Sequence, residues 1–429
     1  MAGTYLLRTP SSAGNRRTWT ISTWVKKASD AVSIFSAWYA DSTVGHFVFR
    51  FGYNGSQLGW SQWSNDSYST RLFRDPSAWY HLVLAVDTTQ ATANNRIKMY
   101  VNGVQETSFS VGAVYPSQNE ELPVNNNNKQ VIGANSYSST AEYFNGSMSH
   151  FHFIDGTAYD ASYFGETDAT TGEWKIKTSP SVTYGTNGFF ILKDSGSKTD
   201  QSGNGNNFSE EGTPGIVSDT QDSPSNVFAT MNALSKGSDG VLSKGNTILR
   251  NDQSTNANVL GTIALGNGKY YWETYKHGGG STGLGVTLAR VDGSNHSEIH
   301  SYRVNYFADG NIYQNGFGLS DINTGVTYSD TDIIGVSVDT EGGTIKFYKN
   351  GALVNNSSQT NSAFTYAQNE LIPFWYVNNG GEWRTNFGNG YFGTTAITSA
   401  GTNASGNGIF EYDVQPTDAT ALSTKGLNL

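Results

Sequence analysis

The chain has 429 residues, enough for two or three domains that each bury a core, and its lack of cysteine excludes a disulfide scaffold, thiolate metal sites and thiol catalysis. Aromatics at 13%, charged residues at 14% and 49 glycines are the balance of strands joined by many turns, so the expected class is all-β. A formal net charge of −10 leaves no basic surface to hold a nucleic-acid backbone by counterion release.

The opening stretch, MAGTYLLRTPSSAGNRRTWT, has no apolar run of signal-peptide length, and no later stretch is long enough to span a membrane as a helix. Strand patterns begin with TWTISTWVKK, where alternation puts Trp19 and Ile21 on one face and Ser22 and Trp24 on the other. One Trp is expected in the core and the other on a surface or second sheet. HFVFRFGYNGSQLGW reads as a hairpin with Phe47, Phe49 and Phe51 on one face, a turn at Asn54-Gly55, and Leu58 and Trp60 returning. WYHLVLAVD and RIKMYVNGV follow as a strand pair.

RIKMYVNGVQ at 96–105 is echoed by TIKFYKNGAL at 344–353. Both copies alternate core and solvent positions and end in Asn-Gly, the signature of a type I′ hairpin whose two central residues need positive φ. The first set of strands closes with FNGSMSHFHFIDG, where Phe151 and Phe153 face the core and His150 and His152 a solvated outer face.

Residues 166–227 are rich in Gly, Ser, Thr and Asp and read as a connector carrying one or two strands. Alternation resumes with KYYWETY, GLGVTLA, YRVNYF, DIIGVSVD, TIKFYKNGAL, LIPFWYV and WRTNFG. A late IFEYDV segment, with Phe410 and Tyr412, is expected to pack. The domains are therefore drawn at 1–165, 166–227 and 228–429. The fold class expected is all-β, two tandem antiparallel β-sandwiches.

Acids do not form the E-x-D-x-E run that lines a glycoside-hydrolase cleft. Glu120-Glu121 and Glu210-Glu211 are adjacent and point to opposite faces, and Glu166 and Asp168 lie in a loop. HSEIH (His296, Glu298, His300) lacks the spacing of a zinc helix and reads as a polar loop. Asp87 and Asp339 end their V-D strands as turn residues bonding nearby backbone N–H groups. No catalytic residue and no metal are assigned.

Binding is the stronger reading, because sugar rings stack their C–H faces on Trp and Tyr while Asn and Asp bond the hydroxyls. The candidate patch joins Trp38, Tyr39 and Asp41 of SAWYADS with Trp63, Asn65, Asp66 and Tyr68 of SQWSNDSY. An alternative surface in the second half uses Tyr302, Tyr306, Tyr313, Tyr376 and Trp383.

W-Y-H-L-V-L-A-V-D with I-K-M-Y-V-N-G, and the closing F-N-G-S-M-S-H-F-H-F-I-D-G, resemble the laminin-G and pentraxin-like group of concanavalin A-like jelly rolls. G-K-Y-Y-W-E, G-L-G-V, I-G-V-S-V-D, G-T-I-K-F-Y-K-N-G, P-F-W-Y and N-F-G resemble an SPRY domain, in family order. The whole arrangement, including S-G-N-G-N-N in the connector, is similar to virion-associated proteins of marine tailed bacteriophages. That resemblance implies a non-enzymatic protein of the virion surface, assembled in the host cytoplasm as capsid decoration, fibre or tail appendage. Its implied partners are other virion proteins and host-surface glycans, with no nucleic acid and no membrane insertion, and a homo-oligomer stays open. A purely structural capsid or tail cement is the alternative, and a polysaccharide hydrolase the weaker one. Some relatives use calcium, but Ser149 stands where they carry Asp, so no cofactor is assigned.

Overall fold

The structure is a computed structural model that describes residues 3–39, 45–52, 56–62, 65–135, 141–170, 172–193, 197–212, 222–400, 406–412 and 419–428. Strands hold 46% of it and helices 4%, as expected from segments in which every second side chain seeks a core. The chain forms two units, Met1–Asp219 and Thr220–Leu429, each built on a pair of antiparallel sheets. No helix among the described residues is long and apolar enough to cross a membrane.

In the first unit an eight-stranded sheet runs in the spatial order Phe109–Val111, Asn65–Leu72, Gln57–Gln62, His46–Phe51, Ser33–Trp38, Gln130–Ile132, Thr4–Arg8, Ser209–Gly212. A six-stranded sheet has the order Phe189–Ile191, Gly146–Asp155, Thr18–Lys27, Tyr80–Asp87, Ile97–Val101, Val104–Glu106. Between them lie Trp19, Ile21, Phe47, Phe49, Phe51, Leu58, Trp60, Phe151 and Phe153, all buried as the alternation requires.

The segment 166–227 departs from its expected role. Phe189–Ile191 pairs with Gly146–Asp155, Ser209–Gly212 pairs with Thr4–Arg8, and Phe189, Ile191 and Phe208 join the core. The first unit accordingly extends past 165 to Asp219. Asp200 organises the S-G-N-G-N-N loop by accepting the N–H groups of Phe190 (2.9 Å), Ser202 (2.8 Å) and Asn206 (2.9 Å). Asn204 and Asn206 each donate to the Gly188 carbonyl, at 2.9 and 2.8 Å.

Residues 161–190 also cover the outer face of the six-stranded sheet. Val83 and Ile154 are buried there under Ala161, Phe164, Trp174 and Tyr184. This overturns the solvated face expected for His150 and His152, both of which are buried. A bulge between Ser149 and His152 leaves His150 at φ 50°. Phe190 stacks on His152 at 4.0 Å, and the Tyr184 hydroxyl lies 2.8 Å from His152 Nδ1. Trp24, expected on a surface or second sheet, is buried in the same layer against His81 at 5.0 Å.

The second unit has a seven-stranded sheet in the order Met231–Lys236, Ala257–Gly261, Leu371–Val377, Thr282–Leu288, Arg303–Phe307, Asn311–Asn315, Ile322–Asn323. Its nine-stranded partner centres on Gly381–Asn386, Lys269–His277, Ile333–Asp339 and Thr344–Lys349. Thr420–Ala421 adds to Lys269–His277 in parallel. Phe410 is buried, with its ring edge-on to Tyr271 at 4.9 Å. HSEIH is a helix, His296–Ser301, and not the polar loop expected; Asn295 caps it by accepting the Glu298 N–H at 3.1 Å.

The two Asn-Gly turns adopt the same geometry. Asn102 and Gly103 have φ 47° and 82°, and Asn350 and Gly351 have φ 49° and 79°. Each Asn side chain accepts the N–H of the residue opposite, His81 or Ile333, at 2.8 Å. Each glycine also receives a ring from a later segment: a Cβ would approach Trp174 to 2.5 Å at Gly103 and Tyr412 to 2.7 Å at Gly351.

Candidate functional site

Because Phe47, Phe49 and Phe51 enter the core, His46, Val48 and Arg50 face outward from the eight-stranded sheet. Arg50 organises this outer face. Its Nη1 donates to Glu142 Oε1 at 2.8 Å, its Nη2 to Asp66 Oδ1 at 3.1 Å, and its Nε to the Tyr68 hydroxyl at 2.8 Å. Ser33 and Asn135 donate to the other Glu142 oxygen at 2.8 and 3.3 Å, and Ser61 donates to Asp66. Burial opposes the Arg50 charge, but Glu142, Tyr68 and Asp66 more than offset it and its pKa is raised. His46 is lowered, by burial and then by Arg50.

Register brings three strand ends together beside this network. Trp38 pairs with His46, Phe47 with Gln62, and Gln62 with Asn65, so Trp38, His46 and Asn65 lie at one end of the sheet. Trp38 and Tyr39 are half-buried, Asn65 is exposed, and the Asp66 side chain keeps 42% of its surface. The Arg16 guanidinium lies over the Tyr39 ring at 5.5 Å. The structure thus brings Trp38 and Asp66 to one end of the outer face, while Asn65, in register with Gln62 and core-facing Phe47, points to the opposite face. Tyr68 is instead buried beneath Arg50. Asp41 and Trp63 lie outside the described residues. Arg50 and Glu142 were missed: an isolated Arg in an aromatic strand and a Glu from a distant loop give no local pattern.

Chemically, this face suits recognition. Asp66 and Glu142 both accept hydrogen bonds from Arg50. The other acids considered are engaged nearby: Glu121 with Arg16 (2.9 Å) and Arg17 (3.0 Å), Glu210 with Lys198 (3.2 Å), and Glu166 and Asp168 with Lys175 (3.5 and 3.2 Å). Asp87 accepts the Thr89 N–H at 3.0 Å, and Asp339 those of Glu341 and Gly342 at 2.9 and 2.7 Å, as turn residues. No cluster of three or more His, Asp or Glu suited to a metal ion occurs among the described residues.

The alternative surface of the second unit does not hold as one patch. Tyr306 and Trp383 are fully buried core residues, the latter donating to the Tyr376 carbonyl at 3.1 Å. Alternation could not separate them from surface rings, because both faces of a sandwich strand can carry aromatics. Tyr376 is nearly buried, with its hydroxyl donating to Asn256 at 2.7 Å. Tyr302 and Tyr313 are half-buried, beneath Arg290 at 5.0 Å and Arg303 at 4.8 Å.

Residues 2–162 match the Laminin_G_3 family model, described as the concanavalin A-like lectin/glucanases superfamily, and residues 269–390 match that of the SPRY domain. Among solved structures, the SPRY domain of human HERC1 is 22% identical, the match covering 36% of this chain and 96% of that one at a TM-score of 0.28. The TRIM65 PSpry domain is 15% identical, covering 36% and 87% at 0.29. Stonustoxin is 20% identical over 37% of this chain and 27% of its own, at 0.27. No curated protein matches.

Proposed function

We propose that this chain, a concanavalin A-like domain followed by an SPRY domain, is a non-catalytic recognition protein of a virion exterior that binds glycans on the outer face of its first unit. The observation that carries the binding site is the convergence of Trp38 and Asp66 on the outer face at one end of the sheet beside Arg50, an aromatic platform next to a carboxylate. The non-catalytic reading is supported by the Arg50 ion pairs, which engage Asp66 and Glu142. The virion placement, with capsid or tail proteins as partners, is supported by the resemblance in domain order.

A glycan panel tests the binding claim. Trp38→Ala is expected to weaken binding at least tenfold, while Tyr366→Ala, at an exposed ring of the second unit, leaves it unchanged. Retention of full affinity in Trp38→Ala, or cleavage of the bound glycan, would contradict the proposal.

A further inference from the structure

A second site is built into the outer face of the seven-stranded sheet. Val304 and Tyr306 are fully buried in the core, so Arg303, Asn305 and Phe307 face outward from the same strand. Asn305 is opposed in register by Gly285 on one side and Tyr313 on the other. The Arg303 guanidinium stacks over Tyr313 at 4.8 Å and Phe307 at 5.7 Å. From its last turn the short helix contributes His300, whose Nε2 lies 2.9 Å from Arg303 Nη1. Tyr376 closes the wall, 5.1 Å from the Phe307 ring.

These groups are buried without being satisfied. Asn305 is 0% exposed, and neither its amide nitrogen nor its amide oxygen has a hydrogen-bond partner. Arg303 is 5% exposed, and its Nε is likewise unpartnered. Arg303 also makes no ion pair among the described residues. Asp321, the carboxylate whose charge acts on it, instead accepts the Gln314 N–H at 2.9 Å. Buried amides and guanidinium N–H groups are ordinarily paired, because leaving them bare forfeits their hydration without return. Three such atoms on adjacent outward positions of one strand mark a place that a ligand completes.

We propose that Arg303 and Asn305 form a binding site for a carboxylated sugar. The ligand carboxylate accepts from Nε and an Nη of Arg303, the fork geometry that guanidinium offers and ammonium does not. A neighbouring hydroxyl both donates to and accepts from the Asn305 amide. The C–H face of the sugar ring packs on Tyr313 and Phe307, and the guanidinium, held by one hydrogen bond and two ring faces, swings aside to admit it. This site is independent of the Trp38 face.

Titration of the full chain with D-galacturonate and D-galactose, followed by NMR, tests the proposal. Galacturonate is expected to bind at least tenfold more tightly than galactose, with an affinity that falls as salt rises. Arg303→Lys should lose at least tenfold, and Tyr366→Ala, at an exposed ring outside the site, should bind galacturonate unchanged. Asn305→Leu is expected to abolish binding while raising the melting temperature, because it removes unpaired polar atoms from a buried position. A merely structural Asn305 would instead lower the melting temperature on substitution. Equal binding of the two sugars, binding of neither, or binding of an acidic peptide at Arg303 without galacturonate would overturn the proposal.

Discussion

Asn102 and Asn350 each perform two tasks in their turns. They tolerate positive φ, and their side-chain carbonyls accept the N–H of the residue across the strand pair. Asn→Gly at either position keeps the backbone conformation but loses the bond, and Asn→Ala loses both. Stability is therefore expected to fall in the order Asn, Gly, Ala, with the Ala variants losing about 1–3 kcal/mol in urea unfolding. Equal stability of the Asn and Ala proteins would contradict this. The turn itself was legible from the Asn-Gly pair. The rings that cover Gly103 and Gly351 were not, because Trp174 and Tyr412 arrive from segments with no local pairing signal.

Elements differ in how much of their environment alternation encodes. Strand Thr18–Lys27 showed from sequence which face carries Trp19 and which Trp24. It could not show that residues 161–190 cover the second face, since a period of two assigns a side and not its neighbour. That cover makes the first unit acid-sensitive. Trp174 Nε1 donates to His81 Nδ1 at 3.0 Å, so His81 is a neutral ring whose Nε2 carries the proton toward Ser22 Oγ at 2.9 Å. Protonation of Nδ1 would set one N–H against another. Burial pushes His81 down to about 3, and His152 is lowered by burial, then by His150 and His81. The other titratable groups of this layer include His150, Tyr159, Tyr100 and Tyr184, with Asp160 acting on Tyr100 and Asp200 on Tyr184, and Lys193 lies over Phe190 at 5.9 Å. No carboxylate appears among the groups acting on either imidazole.

The folded state thus holds these imidazoles neutral where the unfolded chain would bind protons. The His81 contribution to stability is complete above pH 6.5 and is lost as pH falls toward 3, at up to about 1.4 kcal/mol per pH unit, and His152 adds a loss in the same direction. His81→Gln is expected to flatten that acid limb, measured by urea unfolding between pH 3 and 7; an unchanged slope would contradict it. The second unit carries the opposite dependence. Burial raises Glu273 to about 7, despite its acceptance of the Glu411 and Tyr412 N–H groups at 2.8 and 2.7 Å. A raised carboxyl stabilises the fold fully below pH 4.5 and progressively less as pH rises through 7. Glu273→Gln should abolish that loss between pH 4.5 and 7, and retention of the loss would show that another group causes it.

At the scale of the whole molecule, two tandem sandwiches were legible because hairpin signals and strand alternation recur through both units. The site was legible only in part. Trp38 and Asp66 could be proposed together because they flank short turns, but Asn65 points to the opposite face, and Tyr306 and Trp383 looked equally exposed in sequence and proved to be core. Arg50, Glu142, Arg303 and Asn305 escaped notice because their roles depend on partners from other strands. If the chain serves on a virion exterior, antibody labelling of intact particles should decorate the capsid or tail surface, and particles that bind antibody only after disruption would contradict that placement. The most direct measurement is hydrogen–deuterium exchange of the full chain with and without a glycan it binds. The proposed recognition face predicts protection concentrated in residues 33–39 and 57–72, with the recovered glycan intact. Protection elsewhere alone, or a shortened glycan, would contradict it.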